Sequence, residues 1–175
     1  FVCCAVASGP AFEGAGISCG MAAVDGAVSH VRYDGGFLYD VIGGKAPCGL
    51  CGSGLIDLAA VLIDCGCIDE GGRLLPPREA PEKMRRYLTR DENGNGVFQL
   101  TREVYLTAQD VRSLQLAKAA VAAGIDVLLA AKEMESSDID GLYLAGGFGS
   151  YVDTESAMKI GMLPRIEKDK LHSIG

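Results

Sequence analysis

Four stretches of this sequence carry residue types and spacings that suit chemistry. The first is Ala145-Gly146-Gly147-Phe148-Gly149. Three glycines within four positions leave bare main chain, whose N–H groups could lie against a flat ring or a phosphate that a Cβ would hold away. The same glycines would also serve an ordinary turn from a strand into a helix. The second is Gly52-Ser53-Gly54, just ahead of an apolar helical pattern. There free N–H groups and the helix dipole would favour an anion, or Ser53 would simply cap the helix. The third is Glu13, the one carboxylate in the glycine-rich stretch from Ala7 to Gly20. The fourth is Lys118, which at 100° per residue falls inside the apolar stripe of a long helix, with Gln115 on the stripe's edge. An ammonium there either snorkels along its stem to solvent or points into a ligand cleft.

Other candidate chemistry is weaker. Cysteines stand at 3, 4, 19, 48, 51, 65 and 67. An odd count without a secretion signal predicts free thiols, and Cys3 and Cys4 are expected to pack as small apolar side chains. Cys48, Cys51, Cys65 and Cys67 could be read as a zinc set, but a Cys-x-Cys pair and a buried helix between the two pairs suit a tetrahedral site poorly. Asp91, Asn93, Asn95 and Gly96 match the opening of a calcium loop, and the match fails at the twelfth position, which is Arg102 rather than a bidentate carboxylate. A turn sequence is the simpler reading. His30 sits in an alternating segment and reads as a surface strand residue.

The elements that must position these residues follow from periodicity. Phe1–Val6 is a strand candidate, and the segments from Gly26 to Tyr33 and from Phe37 to Ile42 form a hairpin about Asp34-Gly35-Gly36. A mostly buried helix runs from Ser53 and ends at Gly66; a proline-rich surface connection follows from Leu74 to Glu82. A small inserted hairpin joins the stretch from Met84 to Thr89 with that from Val97 to Leu100. Thr107 and Asp110 form a capping-box-like start to the long helix through Val111, Leu114, Ala117, Val121, Ile125 and Leu129. Gly124 inside it implies close packing or a break, since glycine costs a helix interior about 1 kcal/mol against alanine. Leu142–Ala145 is a buried strand, Asp153 caps a helix from Thr154 to Ile160, and Lys168 to Gly175 leads into a final strand. This order predicts an α/β fold.

The 175 residues suit a single domain with a real core, consistent with 49% hydrophobic residues and a mean hydropathy of +0.21. A formal charge of −7 and a pI near 4.8 argue against nucleic acid or an anionic membrane as the main partner. No apolar run of about 18 residues stands out as a membrane span, and no basic region precedes a signal-like core, so a cytoplasmic protein is expected. The chain reads as an internal piece of a longer protein.

Taken together, SGPAFEGAGISCGM (8 to 21), CGSGLIDLAAVLIDCGCID (51 to 69), LTAQDVRSLQLAKAAVAAGID (106 to 126), LYLAGGFGSYVD (142 to 153) and IGMLP (160 to 164) resemble the C-terminal ATPase-fold domain of the reductive activators of corrinoid proteins. The resemblance implies the actin, sugar-kinase and heat-shock-chaperone superfamily, and thus a ribonuclease-H-like lobe with a mixed sheet, flanking helices and an inserted small hairpin. It implies ATP and magnesium as cofactors of the full-length protein, a two-iron two-sulfur cluster outside this piece, and a corrinoid protein as partner, with a homodimer possible. Hydrolysis would drive electron delivery that restores cobalt(I), the protein's part being positioning and charge stabilisation of the phosphates. By the resemblance, Gly146, Gly147, Phe148 and Gly149 fall on the adenosine-binding strand-turn. Lys118 and Gln115 fall on a helix along the nucleoside, and Glu13 and Gly14 approach phosphate or magnesium. The other lobe and the first phosphate turn are absent, so this piece alone should bind nucleotide weakly and hydrolyse little. Two other classes compete. Cys51 before Gly-Ser-Gly resembles the cluster cysteine of the 2-hydroxyacyl-CoA dehydratase activators, which would make the chain an iron–sulfur electron carrier. A non-catalytic module docking the corrinoid partner is the third class, and a small-molecule kinase is a more distant alternative.

Overall fold

The computed structural model describes residues 1–174 and is mixed α/β with three small sheets. Alternation of apolar and polar residues builds the first hairpin as expected, with strand β1 (Ala27–Tyr33) antiparallel to β2 (Phe37–Val41). Gly35 takes φ +67°, the left-handed conformation the tight connection needs. The short strand β3 (Gly49–Leu50) adds in parallel to the other edge of β1, giving the order β2-β1-β3.

Helix α1 (Gly52–Asp64) starts one residue after β3 and lies over β1. Its apolar residues cover more than one face because the helix is central: Leu55, Ile56, Leu58 and Leu62 are each at most 1% exposed. Full burial of each such side chain contributes about 1.5–3 kcal/mol. Cys65 closes the helix, and Gly66 follows at φ +68°. Ser53 is not the cap. Cys51 holds that position, and the Ser53 hydroxyl instead donates to the Ser29 carbonyl of β1 at 2.9 Å.

The inserted hairpin is larger than its sequence suggested. Strands β4 (Leu88–Arg90), β5 (Gly96–Gln99) and β6 (Tyr105–Thr107) form an antiparallel sheet in that order, with Met84 in a 3-10 turn (Glu82–Tyr87) rather than a strand. The third strand is only three residues long, too short for alternation to announce it. At the β4–β5 turn, Asp91 accepts from the Asn93 and Asn95 amides at 2.9 and 2.8 Å and from the Asn95 side chain at 3.0 Å. These bonds hold its carboxyl below the usual range, led by the Asn95 side chain. Both oxygens are thus engaged in the turn, as the turn reading requires. The proline-rich connection is less superficial than expected: Leu74 and Ala80 are buried in the core.

Helix α2 (Ala108–Ala130) opens with the expected capping box between Thr107 and Asp110. By length and mean hydropathy alone it could cross a bilayer, although no membrane span was expected from the sequence, yet it buries Val111, Leu114 and Ala117 against the core. Phe1–Val6 forms no strand. The segment meets α2 at Gly124, where the Cys4 thiol approaches the Gly124 carbonyl at 3.6 Å and Val6 occupies the space that a Cβ on Gly124 would need. Close packing, and not a helix break, therefore accounts for Gly124.

Strand β7 (Leu142–Ala145) pairs in parallel with β8 (Leu171–Ile174). Between them come helix α3 (Gly146–Tyr151) and helix α4 (Thr154–Lys159), the latter capped by Asp153, which accepts from the Ser156 amide at 2.7 Å. The anticipated single mixed sheet is thus distributed over separate small sheets, with β7–β8 apart from β2-β1-β3. Strand β7 is half-buried, not buried: Tyr143 is 61% exposed and stacks on His172.

Candidate functional site

The N-terminal end of α1 and the glycine turn after β7 face one crevice of about 350 Å³, with Glu13 and Phe12 on its wall. The first hydrogen bond of α1 runs from the Leu55 amide to the Cys51 carbonyl at 2.9 Å. The amides of Gly52, Ser53 and Gly54 are the ones a helix leaves free at its start, and Gly52 and Ser53 line the crevice. A Cβ on Gly52 would strike the Phe12 carbonyl and sit 2.9 Å from the Phe148 ring, so glycine is what lets the three segments meet. Phe12 and Phe148 contact each other with centroids 5.4 Å apart, forming an apolar flank.

Across the crevice, Gly146 has φ +88° and Gly147 follows it; a Cβ on either would meet nothing within 4 Å. Their surroundings are open. A surface with free helix amides, one carboxylate, open glycine backbone and two aromatic rings can receive a flat ring against the apolar flank and an anionic group at the amides. Glu13 brings the crevice a carboxylate, a group able to attract a cation. The residues fit a nucleotide with its magnesium.

Of the residues expected at a site, the structure brings together Glu13, Gly52, Ser53, Gly147 and Phe148, with Gly146 opening the turn beside them. Three others support this arrangement from behind. A Cβ on Gly14 would meet the backbone of Met21 and Gly20; one on Gly54 would meet the Val28 carbonyl; and one on Gly149 would lie 3.2 Å from Leu144 of β7. Gly149 accordingly faces a second, apolar cavity behind the turn, of about 410 Å³, with Val121 and Met162. Lys118 and Gln115 are elsewhere. They line a cavity of about 240 Å³ between α1 and α2. Gln115 donates to the Gly72 carbonyl at 2.6 Å, and the Lys118 ammonium lies beside Gly161. Phe12, Met21 and Tyr151 line the crevice and were not anticipated. An aromatic residue directly before Glu13 was the available signal for Phe12.

Cys51, Cys65 and Cys67 are placed for packing, whereas Cys3 and Cys4, expected to pack as small apolar side chains, are exposed. Cys51 is 3% exposed, and its thiol lies 3.4 Å from both the Val28 carbonyl and the Ser53 hydroxyl. The thiol is engaged within the chain while Cys51 also lines the crevice, an arrangement that packing explains without a cluster. Cys65 and Cys67 are buried, and burial pushes the Cys67 thiol up to about 12. Cys48 is exposed and directed at the Ala46 carbonyl. Among the described residues no group of three or more His, Cys, Asp or Glu side chains is gathered for a metal, so the four-cysteine zinc set does not assemble.

One further polar group departs from expectation. His30 is more than a surface residue: its Nδ1 lies 3.0 Å from Oδ2 of Asp57, a buried carboxylate on α1.

The architecture defines a mixed α/β lobe in which a central helix and a glycine turn open onto a common crevice. The chain belongs to the family described as the C-terminal domain of RACo, the ASKHA domain, whose family profile matches residues 1–175. It is 37% identical over 179 residues to the corrinoid activation enzyme RamQ of Eubacterium limosum, covering 97% of this chain and 30% of that protein. It is 26% identical over 185 residues to the [Co(II) methylated amine-specific corrinoid protein] reductase of Methanosarcina barkeri, covering 93% and 31%. The solved reductive activator for corrinoid,iron-sulfur protein superposes with a TM-score of 0.83 at 36% identity, over 95% of this chain and 27% of that one. The chain therefore spans under a third of the length of these relatives.

Proposed function

We propose that this chain is the nucleotide-binding lobe of an ATP-dependent reductive activator that returns a corrinoid protein to the cobalt(I) state. The observation that carries the reading is the shared crevice, where the free amides of Gly52 and Ser53 face the open backbone of Gly147 beside Glu13. Relatives named for corrinoid activation and corrinoid-protein reduction support the choice of partner. In this reading the α1 amides hold a phosphate, Glu13 turns toward magnesium, and the purine lies along Gly146, Gly147 and Phe148. Bound ATP supplies the free energy of hydrolysis; the residues here position it and oppose its charge. Lys118 and Gln115 line a separate cavity and carry none of this reading. Electrons would come from a two-iron two-sulfur cluster outside this chain. The β2-β1-β3 and β7–β8 sheets would be parts of one ribonuclease-H-like sheet completed by strands elsewhere in a cytoplasmic protein.

The test is nucleotide titration of the full-length protein. ATP with magnesium should bind, and Gly147→Trp should abolish binding with an unchanged melting temperature, because the space beside Gly147 is open. A full-length protein that binds no nucleotide refutes the reading and leaves a docking module in its place.

A further inference from the structure

Three neighbouring elements leave apolar surface uncovered. Phe1-Val2-Cys3-Cys4-Ala5-Val6 carries no charged side chain, all six residues are exposed, and among the described residues no main-chain hydrogen bond engages them. Helix α2, which this segment meets at Gly124, buries only Asp110, Val111, Leu114, Ala117 and Gly124 of its 23 residues. Its Leu116 and Val127 are 69% and 61% exposed. A helix this apolar on its outer side belongs in an interior. Strand β7 has β8 as its one strand neighbour among the described residues, so its other edge is unpaired. Parallel strands ordinarily sit in sheets covered on both faces, and two strands by themselves are marginal.

The cavity of about 410 Å³ behind the glycine turn joins these elements. Its lining takes Ser8 from just beyond the N-terminal segment, Val121 from α2, and Tyr143, Leu144 and Ala145 from β7. Glu13 is the one charged group on its wall among the described residues. An unpaired strand edge beside apolar walls suits an extended apolar segment, which satisfies the edge's N–H and C=O groups by pairing and buries its own side chains. A charged ligand would gain little there. This chain spans under a third of the length of its relatives, so in proteins of that kind more polypeptide lies outside the lobe than within it. A tethered segment reaches the cavity at an effective concentration that a separate molecule lacks.

We infer that an extended strand from the rest of the full-length polypeptide seats in this cavity, pairing with the free edge of β7 and covering α2 between β7 and Phe1–Val6. The inference rests on the reading of this chain as one lobe of a longer protein, and it adds where the rest of that protein enters. Phe12, Glu13 and Phe148 line both this cavity and the crevice. The seated strand therefore closes the crevice from behind, and the proposed nucleotide site is complete only with the strand in place.

Two readouts on the purified full-length protein test this, both without nucleotide, so a failure of the nucleotide reading leaves them untouched. The first is thiol labelling mapped by peptide mass spectrometry. Cys48 is exposed and should label as a free thiol, whereas Cys4, exposed in this lobe, should label roughly a hundredfold more slowly once the strand buries its segment against α2. Equal rates at the two thiols overturn the inference. The second is hydrogen exchange at the β7 amides that β8 leaves unpaired, which should be slowed by a similar factor, roughly a hundredfold; exchange there at the rate of an open chain overturns it as well. Val121→Asp, which puts a charge into the cavity, should restore fast labelling and fast exchange, while Leu38→Asp at an exposed site on β2 changes neither. Protection that vanishes on dilution to a monomer assigns the cavity to a second copy, and protection that appears only when a corrinoid protein is added assigns it to that partner; either result overturns the inference. Should Val121→Asp fail to fold, the wild-type comparison of Cys4 with Cys48 decides.

Discussion

The two glycine turns that face the crevice are glycine for opposite reasons. At Gly52 the space is full: a side chain would strike the Phe12 carbonyl and crowd Phe148, so packing within the chain demands glycine. At Gly146 and Gly147 the space is empty to 4 Å, and packing demands nothing. Gly146 still needs its φ of +88°, but Gly147 has no positive φ and no neighbour to avoid. A bare position without an internal reason is the stronger pointer to something outside the chain. The contrast separates a turn that builds the crevice from a turn that is available to an occupant.

Breaking the packed side should have the largest effect. Gly52→Val would displace backbone as well as the Phe148 ring, and overpacking of this kind costs about 1–3 kcal/mol; chemical denaturation should show it, with nucleotide binding lost together with stability. Gly146→Ala comes next, at roughly 1–2 kcal/mol for a left-handed position, read as a lower melting temperature with the crevice otherwise intact. Asp57→Asn should alter the pH dependence of stability. The Asp57 carboxyl is raised from 3.8 by burial, so its contribution is fully present below that value and is lost as pH rises through the higher folded value. Denaturation across the acidic range should show that slope in the wild type and its absence in the variant. The smallest effect is expected at Lys118→Met. It lies in the other cavity, so ATP affinity should stay within about twofold of wild type, a change of about 0.4 kcal/mol; a tenfold loss would join that cavity to the crevice and erase the distinction drawn here.

Local chemistry made much of the fold legible. The hairpin of β1 and β2 follows from alternation about Asp34-Gly35-Gly36, the start of α2 from Thr107 and Asp110, and the helix after Asp153 from its cap. Segments whose state depends on remote partners were not legible. Phe1–Val6 reads as a strand candidate, yet its neighbour is the side of α2 at Gly124. Ser53 looks like a cap, yet its hydroxyl reaches the Ser29 carbonyl of β1.

The sequence by itself determined which residues could serve a site: the bare glycines, the start of α1 and Glu13 are matters of residue type and helix phase, both local properties. Tertiary structure alone decided which of them meet. Helix phase put Gln115 and Lys118 on one face of α2, but the face turns to Gly72 and Gly161 rather than to Gly147. Tertiary structure also revealed the pairing of His30 with Asp57, 27 residues apart, because only the packing of α1 on β1 removes the water that would otherwise keep a histidine and an aspartate indifferent to each other.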